Sequence, residues 1–137
     1  MKNGFTLIEL LIVLAIAGSL IAFSVFGTSS FRNSLEYSNS VNQILSDIQL
    51  TQQLASSTSQ TCRISFSYSS NTYSISKADA VYSNLTSGKN IRFSGKMYFE
   101  FIESGETAVG GSGTLTIAGS SNPKKIVVSQ RGRIRVE

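Results

Sequence analysis

Two groups of residues in this sequence of 137 have the type and spacing to do chemistry, and they lie at opposite ends of the chain. Near the carboxyl terminus Arg131, Arg133 and Arg135 alternate with Gly132, Ile134 and Val136, and Lys124 and Lys125 stand just upstream. Residues i and i+2 of a strand share a face, so Arg133 and Arg135 form a row that Arg131 extends, with Ile134 and Val136 turned inward. Three guanidinium groups in line with almost no acid nearby suit a polyanion, because arginine offers fixed, forked donors to phosphate oxygens. A plainer reading is equally open here: charge on an edge strand guards against strand-to-strand aggregation, although a mixture of lysine and glutamate would serve that purpose as well. At the other end, Glu9 is the one ionisable side chain in FTLIELLIVLAIAGSLIAFSVF, residues 5–26. An acidic or basic side chain at the centre of a membrane helix costs roughly 2.5 to 3.5 kcal/mol, and less near the helix start, so a carboxylate retained at this place marks a function or a partner.

Composition removes most alternatives. The chain has no histidine and a single cysteine, Cys62, which rules out a disulfide within the chain, a Cys/His nucleophile pair and a Ser/His/Asp triad. No zinc site, cofactor or enzymatic activity is expected. The formal net charge is +4, and residues 1–123 carry equal numbers of basic and acidic side chains. The whole excess therefore comes from Lys124, Lys125, Arg131, Arg133 and Arg135, offset only by Glu137: a neutral body with a basic tail.

The elements that must position these residues can be read along the chain. Residues 5–26 make about 33 Å of helix, enough to cross a membrane, and Lys2 ahead of them keeps the extreme amino terminus in the cytoplasm. Residues 27–57 place apolar side chains at Phe31, Leu35, Val41, Ile44, Leu45, Ile48 and Ala55, mostly helical intervals, so an amphipathic helix is expected to continue to about Ser56 and to lay one stripe on a following domain. That domain, residues 58–137, reads as strands. Arg63–Tyr68 and Thr72–Ser76 alternate strictly around Ser69-Ser70-Asn71 and predict a hairpin. Residues 77–88 lack a period and read as loop. Ile91–Phe93, Met97–Phe101, Thr114–Ile117, Lys125–Ser129 and Arg133–Val136 read as further strands, the last two joined by a tight turn at Gln130–Gly132. The glycines from Gly110 to Gly113 lack a following basic residue or helix and do not make a phosphate cradle. Phe66, Tyr68, Tyr73, Phe93, Tyr98, Phe99 and Phe101 alternate as core residues rather than as a base-stacking platform. The expected fold is α+β: a long amino-terminal helix, transmembrane in its first half, packed on one small antiparallel sheet or two.

Gly4-Phe5-Thr6-Leu7-Ile8-Glu9, followed by the unbroken apolar run, resembles the signature of type IV prepilins and type II secretion pseudopilins. The resemblance implies a leader, residues 1–4, removed by a prepilin peptidase between Gly4 and Phe5. It further implies N-methylation of Phe5 and an assembly role for Glu9, whose carboxylate would meet the new amine of a neighbouring subunit. Gly113-Thr114-Leu115-Thr116-Ile117 and the terminal Gly132-Arg133-Ile134-Arg135-Val136 are similar to the carboxyl-terminal pattern of FimT-like minor pilins and GspH-like pseudopilins. In the FimT-like group a Gly-Arg-x-Arg tail is implicated in binding DNA during natural transformation, which would assign Arg131, Gly132, Arg133, Arg135, Lys124 and Lys125 to the DNA backbone. The partners so implied are other pilin subunits, the prepilin peptidase, DNA and, before assembly, the inner membrane. The protein would cross that membrane once, with its soluble domain on the extracytoplasmic side, and then enter a pilus. The competing expectation is a GspH-like subunit of a type II secretion pseudopilus with a structural role.

Overall fold

The computed structural model describes residues 6–26, 28–78, 80–88, 91–119 and 122–137, and of these the side chains outside 22–30. The chain forms two compact units, Met1–Asn33 and Ser34–Glu137. In the first, helix α1 runs Leu7–Phe26. Thr6 caps it: the Glu9 amide donates to the Thr6 carbonyl at 3.1 Å and to Thr6 Oγ1 at 3.4 Å, the Thr-x-x-Glu spacing of a capping box. Its described apolar side chains, from Leu7 to Ile21, are exposed on every side. A helix apolar all round finds its stable surroundings in other helices or in lipid. Among the described residues no helix is long and apolar enough to cross a membrane. The expected span, residues 5–26, begins before and ends beyond the side chains described. The expected cut between Gly4 and Phe5 and the methylation of Phe5 also lie outside the described residues.

Helix α2, Thr28–Thr58, crosses into the second unit and there presents Tyr37, Val41, Ile44, Ile48 and Ala55 to the core. The stripe read from sequence begins too early, since Phe31 and Leu35 remain exposed, and it overlooks Tyr37. The helix ends in a Schellman cap: Ser59 takes φ 49° and the Gln60 amide reaches the Ala55 carbonyl at 3.4 Å.

Eight strands follow: β1 Cys62–Ser67, β2 Thr72–Lys77, β3 Ala80–Thr86, β4 Arg92–Gly95, β5 Tyr98–Phe101, β6 Gly113–Ala118, β7 Lys124–Val128 and β8 Ile134–Val136. They build two four-stranded antiparallel sheets, ordered β3-β2-β1-β5 and β4-β6-β7-β8, which resolves the choice between one sheet and two. Ile64, Phe66, Tyr73, Ile75, Phe99 and Phe101 of the first sheet meet Phe93, Leu115, Ile117, Ile126 and Val128 of the second in one buried cluster with α2. Aromatic rings make the seam. Phe66 lies 5.3 Å from Phe93 across the sheets and 5.8 Å from Tyr73, while Tyr73 meets Phe93 edge-on at 6.4 Å. The aromatic side chains expected in the core are there, except that Tyr68 is exposed and Tyr98 half-buried.

Two expectations for this unit are corrected. The loop expected over 77–88 contains β3, an edge strand whose only partly buried apolar contact with the core is Leu85. Ala80, Val81 and Tyr82 stay exposed and the register slips between Ile75 and Ser76, so the strand shows no two-residue period to read. Val136 does not pack inward: it is 41% exposed, because β8 is a three-residue edge strand with a neighbour on one side only. Ile134 does pack against the core.

Candidate functional site

The basic tail folds into β7, a turn and β8, and strand register decides which way each charge faces. Ser129 and Arg133, Val127 and Arg135, and Lys125 and Glu137 stand opposite one another. Residues opposite in an antiparallel ladder point to the same face, here the one away from Ile126, Val128 and the core. Arg133, just before β8, and Arg135, within it, are two residues apart, about 6.8 Å along an extended backbone. With Arg131 from the turn they line an open concavity of about 490 Å³, together with Val127, Ser129, Gln130 and Glu137. All three arginines are exposed, and among the described residues their guanidinium groups have no ion-pair or hydrogen-bond partner. Among the described residues an ion pair does form between Arg63 and Glu100, at 3.1 Å, on the other sheet.

The lysines are placed differently from the arginines. Lys125 is exposed on the arginine face, opposite Thr116 and Glu137, but outside the concavity. Lys124 pairs with Ile117 and alternates onto the other face, half-buried, and its amide donates to Tyr37 Oη at 3.0 Å. Register thus groups three of the five basic residues in one concavity.

The turn that carries Arg131 is held from three directions. Within it, the Gly132 amide donates to the Ser129 carbonyl at 3.0 Å, the Ser129 amide to the Arg133 carbonyl at 2.9 Å, and the Arg133 amide to Ser129 Oγ at 3.1 Å. This is a three-residue hairpin loop closed by a left-handed residue, and Gly132 supplies φ 73°. From the loop before β6, Thr107 donates through both its amide, at 3.0 Å, and its hydroxyl, at 3.2 Å, to the Gln130 carbonyl. From α2, Gln52 Nε2 donates to the Gly132 carbonyl at 3.0 Å and to the Gly105 carbonyl at 2.6 Å. A Cβ on Gly132 would collide with the Gly105 carbonyl and with Gln52 Nε2, so glycine is required here by backbone and by space together. Gly132 therefore positions the arginines and is itself buried. Gln52 and Thr107 escaped sequence reasoning, because polar residues so far along the chain carry no local pattern pointing to the turn.

Elsewhere the polar chemistry is structural. Burial pushes the Cys62 thiol up from its ordinary value, with Lys77 and a hydrogen bond with Thr58 partly offsetting it, so the thiol is protonated and inert. Burial also raises the Tyr73 phenol, helped by Asp47, whose Oδ2 accepts its hydroxyl at 2.6 Å and ties α2 to β2. Among the described residues no group of three or more His, Cys, Asp or Glu is arranged to hold a metal ion. Glu9, in the first unit, has an exposed side chain.

Residues 1–25 match the prokaryotic N-terminal methylation motif. No curated protein matches the chain in sequence. Among solved structures, the crystal structure of the type IV minor pilin FimU of Pseudomonas aeruginosa is similar with a TM-score of 0.64 and 18% identity, covering 78% of this chain and 92% of that one. A second crystal form of the same protein gives a TM-score of 0.61 and 16% identity, covering 73% and 91%. The chain therefore carries the N-terminal methylation motif at its head and has a fold similar to that of a type IV minor pilin.

Proposed function

We propose that this protein is a minor pilin that joins a type IV pilus through its amino-terminal helix and binds the backbone of DNA, without reading sequence, through Arg131, Arg133 and Arg135 during DNA uptake. The observation that carries the DNA-binding half is the concavity itself: three exposed guanidinium groups on one face with no partner among the described residues. Lys125 flanks the row, and Lys124, on the opposite face, contributes least. Contacts of this kind position a backbone and carry no base information. About three neutralised phosphates give weak intrinsic affinity, which several subunits on one filament would raise by avidity.

The assembly half rests on the methylation motif and the fold. Prepilin peptidase would cut between Gly4 and Phe5 and methylate Phe5, leaving a cationic amine at the head of an apolar helix that crosses the inner membrane over residues 5–26. Glu9 of one subunit would then meet the amine of another, each satisfying a charge that is costly alone, and the pair would fix subunit register more than bulk stability. To test the DNA-binding half, the full-length chain in nonionic detergent is titrated with a short DNA duplex, beside Arg133→Ala/Arg135→Ala. Binding lost in the double variant supports the site. Binding unchanged by it removes the arginines from the account, and no binding by either protein leaves a structural subunit of GspH-like pseudopilin type as the better reading.

A further inference from the structure

We infer that Gln52 is a positioning residue for the arginine site, locking the turn that carries Arg131 and Arg133 onto helix α2. The inference rests on the polyanion reading of that site and says how the site is kept in shape. Both neighbours of the Gln52 amide nitrogen are backbone carbonyl oxygens, Gly105 at 2.6 Å and Gly132 at 3.0 Å. Only the NH2 end of the side chain can face two acceptors, so its orientation is settled and both its hydrogens are used. The Gly132 carbonyl belongs to the peptide that leads into Arg133, and the Gly132 amide closes the turn on Ser129 at 3.0 Å. A shift of that peptide re-aims Arg133, which follows it directly.

Besides Gln52, the turn is held by its own bonds to Ser129 and by Thr107. β8 has three residues and one neighbouring strand, and the Thr107 bonds reach Gln130, one residue short of Arg131. Gln52 is the contact from α2, whose apolar stripe anchors in the core through Ile48 and Ala55 on either side of it. The clamp thus ties the proposed anion site directly to α2, and a pull on a bound polyanion is borne by that helix as well as by the β7–β8 ladder.

The test compares the full-length protein in nonionic detergent with Gln52→Met, of similar length and volume, and with Gln52→Glu, of the same shape but without the donors. Hydrogen exchange over residues 130–133 is expected to speed up about tenfold in both variants while β1, β2 and β6 keep their protection. Affinity for a short DNA duplex should fall about fivefold, with the salt slope shrinking from about −2.7 toward about −1.8 as one arginine drops out of register. In an Arg133→Ala background the further loss from Gln52→Met should be under about twofold, the non-additivity of two residues acting through one contact. Unchanged exchange at 130–133, faster exchange spread evenly over the domain, or binding equal to wild type would each overturn the inference. Failure of the wild-type chain to bind DNA would overturn the polyanion reading instead, so the two failures are distinct.

Discussion

Replacing Tyr37 by Phe removes one oxygen from a buried junction between α2 and the second sheet, and the cost can be worked from its partners. The ring is 4% exposed; its hydroxyl lies 2.8 Å from the Ile117 carbonyl and 3.1 Å from that of Asn122, and it accepts from the Lys124 amide at 3.0 Å. Phenylalanine fills the same space, so no cavity opens and no rotamer changes. What is lost is one donor and one acceptor, leaving the Lys124 amide without its partner at the entrance to β7. A buried group so orphaned costs about 1 to 3 kcal/mol. Taking about 2 kcal/mol, and about 4 to 8 °C per kcal/mol for a unit near a hundred residues, the melting temperature should fall by about 8 to 16 °C. Circular dichroism melts of the full-length protein in detergent, wild type against Tyr37→Phe, make the measurement. A drop under about 2 °C would show that water replaces the hydroxyl at no cost and that Tyr37 does not tie the helix to β7.

Three other outcomes are expected. Gly132→Ala must place a Cβ against the Gly105 carbonyl and Gln52 at φ 73°, costing about 1 kcal/mol for the backbone and about 1 kcal/mol for each Gln52 bond displaced, up to about 3 kcal/mol. Thermal melting should fall accordingly, unless β8 detaches, which limited proteolysis would reveal as cleavage near residue 132. The raised Tyr73 phenol means that its contribution to stability is complete below about pH 10, its ordinary value, and is lost as pH rises from there toward the folded value, since the unfolded chain gives up that proton first. Denaturant titrations between pH 9 and pH 11 should show a steeper fall in wild type than in Tyr73→Phe, and equal falls would refute the coupling. Mass spectrometry of protein from cells with a prepilin peptidase should show a chain beginning at methylated Phe5, and an intact Met1–Gly4 segment would refute the processing proposed.

What the sequence disclosed and what it hid divide along the range of the interactions. Val41, Ile44, Ile48 and Ala55 fall at helical intervals, and Ile64, Phe66, Tyr73 and Ile75 alternate, so these core positions were legible from their spacing alone. Local chemistry was legible too, as in Gly132, where a strand-turn-strand pattern asks for a left-handed residue. β3 was not, because an edge strand that buries little has no apolar rhythm. Val136 was misplaced because alternation gives a face and says nothing of whether the face is covered at the end of a sheet. The separation of Lys124 from the arginines needed the β7–β8 register, and the Gln52 clamp needed the tertiary fold, because nothing local to Gln52 distinguishes it from its neighbour Gln53.

The central claim, that the carboxyl-terminal arginines form a polyanion site, is tested most directly by the salt dependence of duplex binding. Three phosphate contacts predict a slope of log affinity on log salt of about −2.7 for the wild-type chain and about −0.9 for Arg133→Ala/Arg135→Ala. A wild-type slope near zero, or one that the double substitution leaves unchanged, would contradict it.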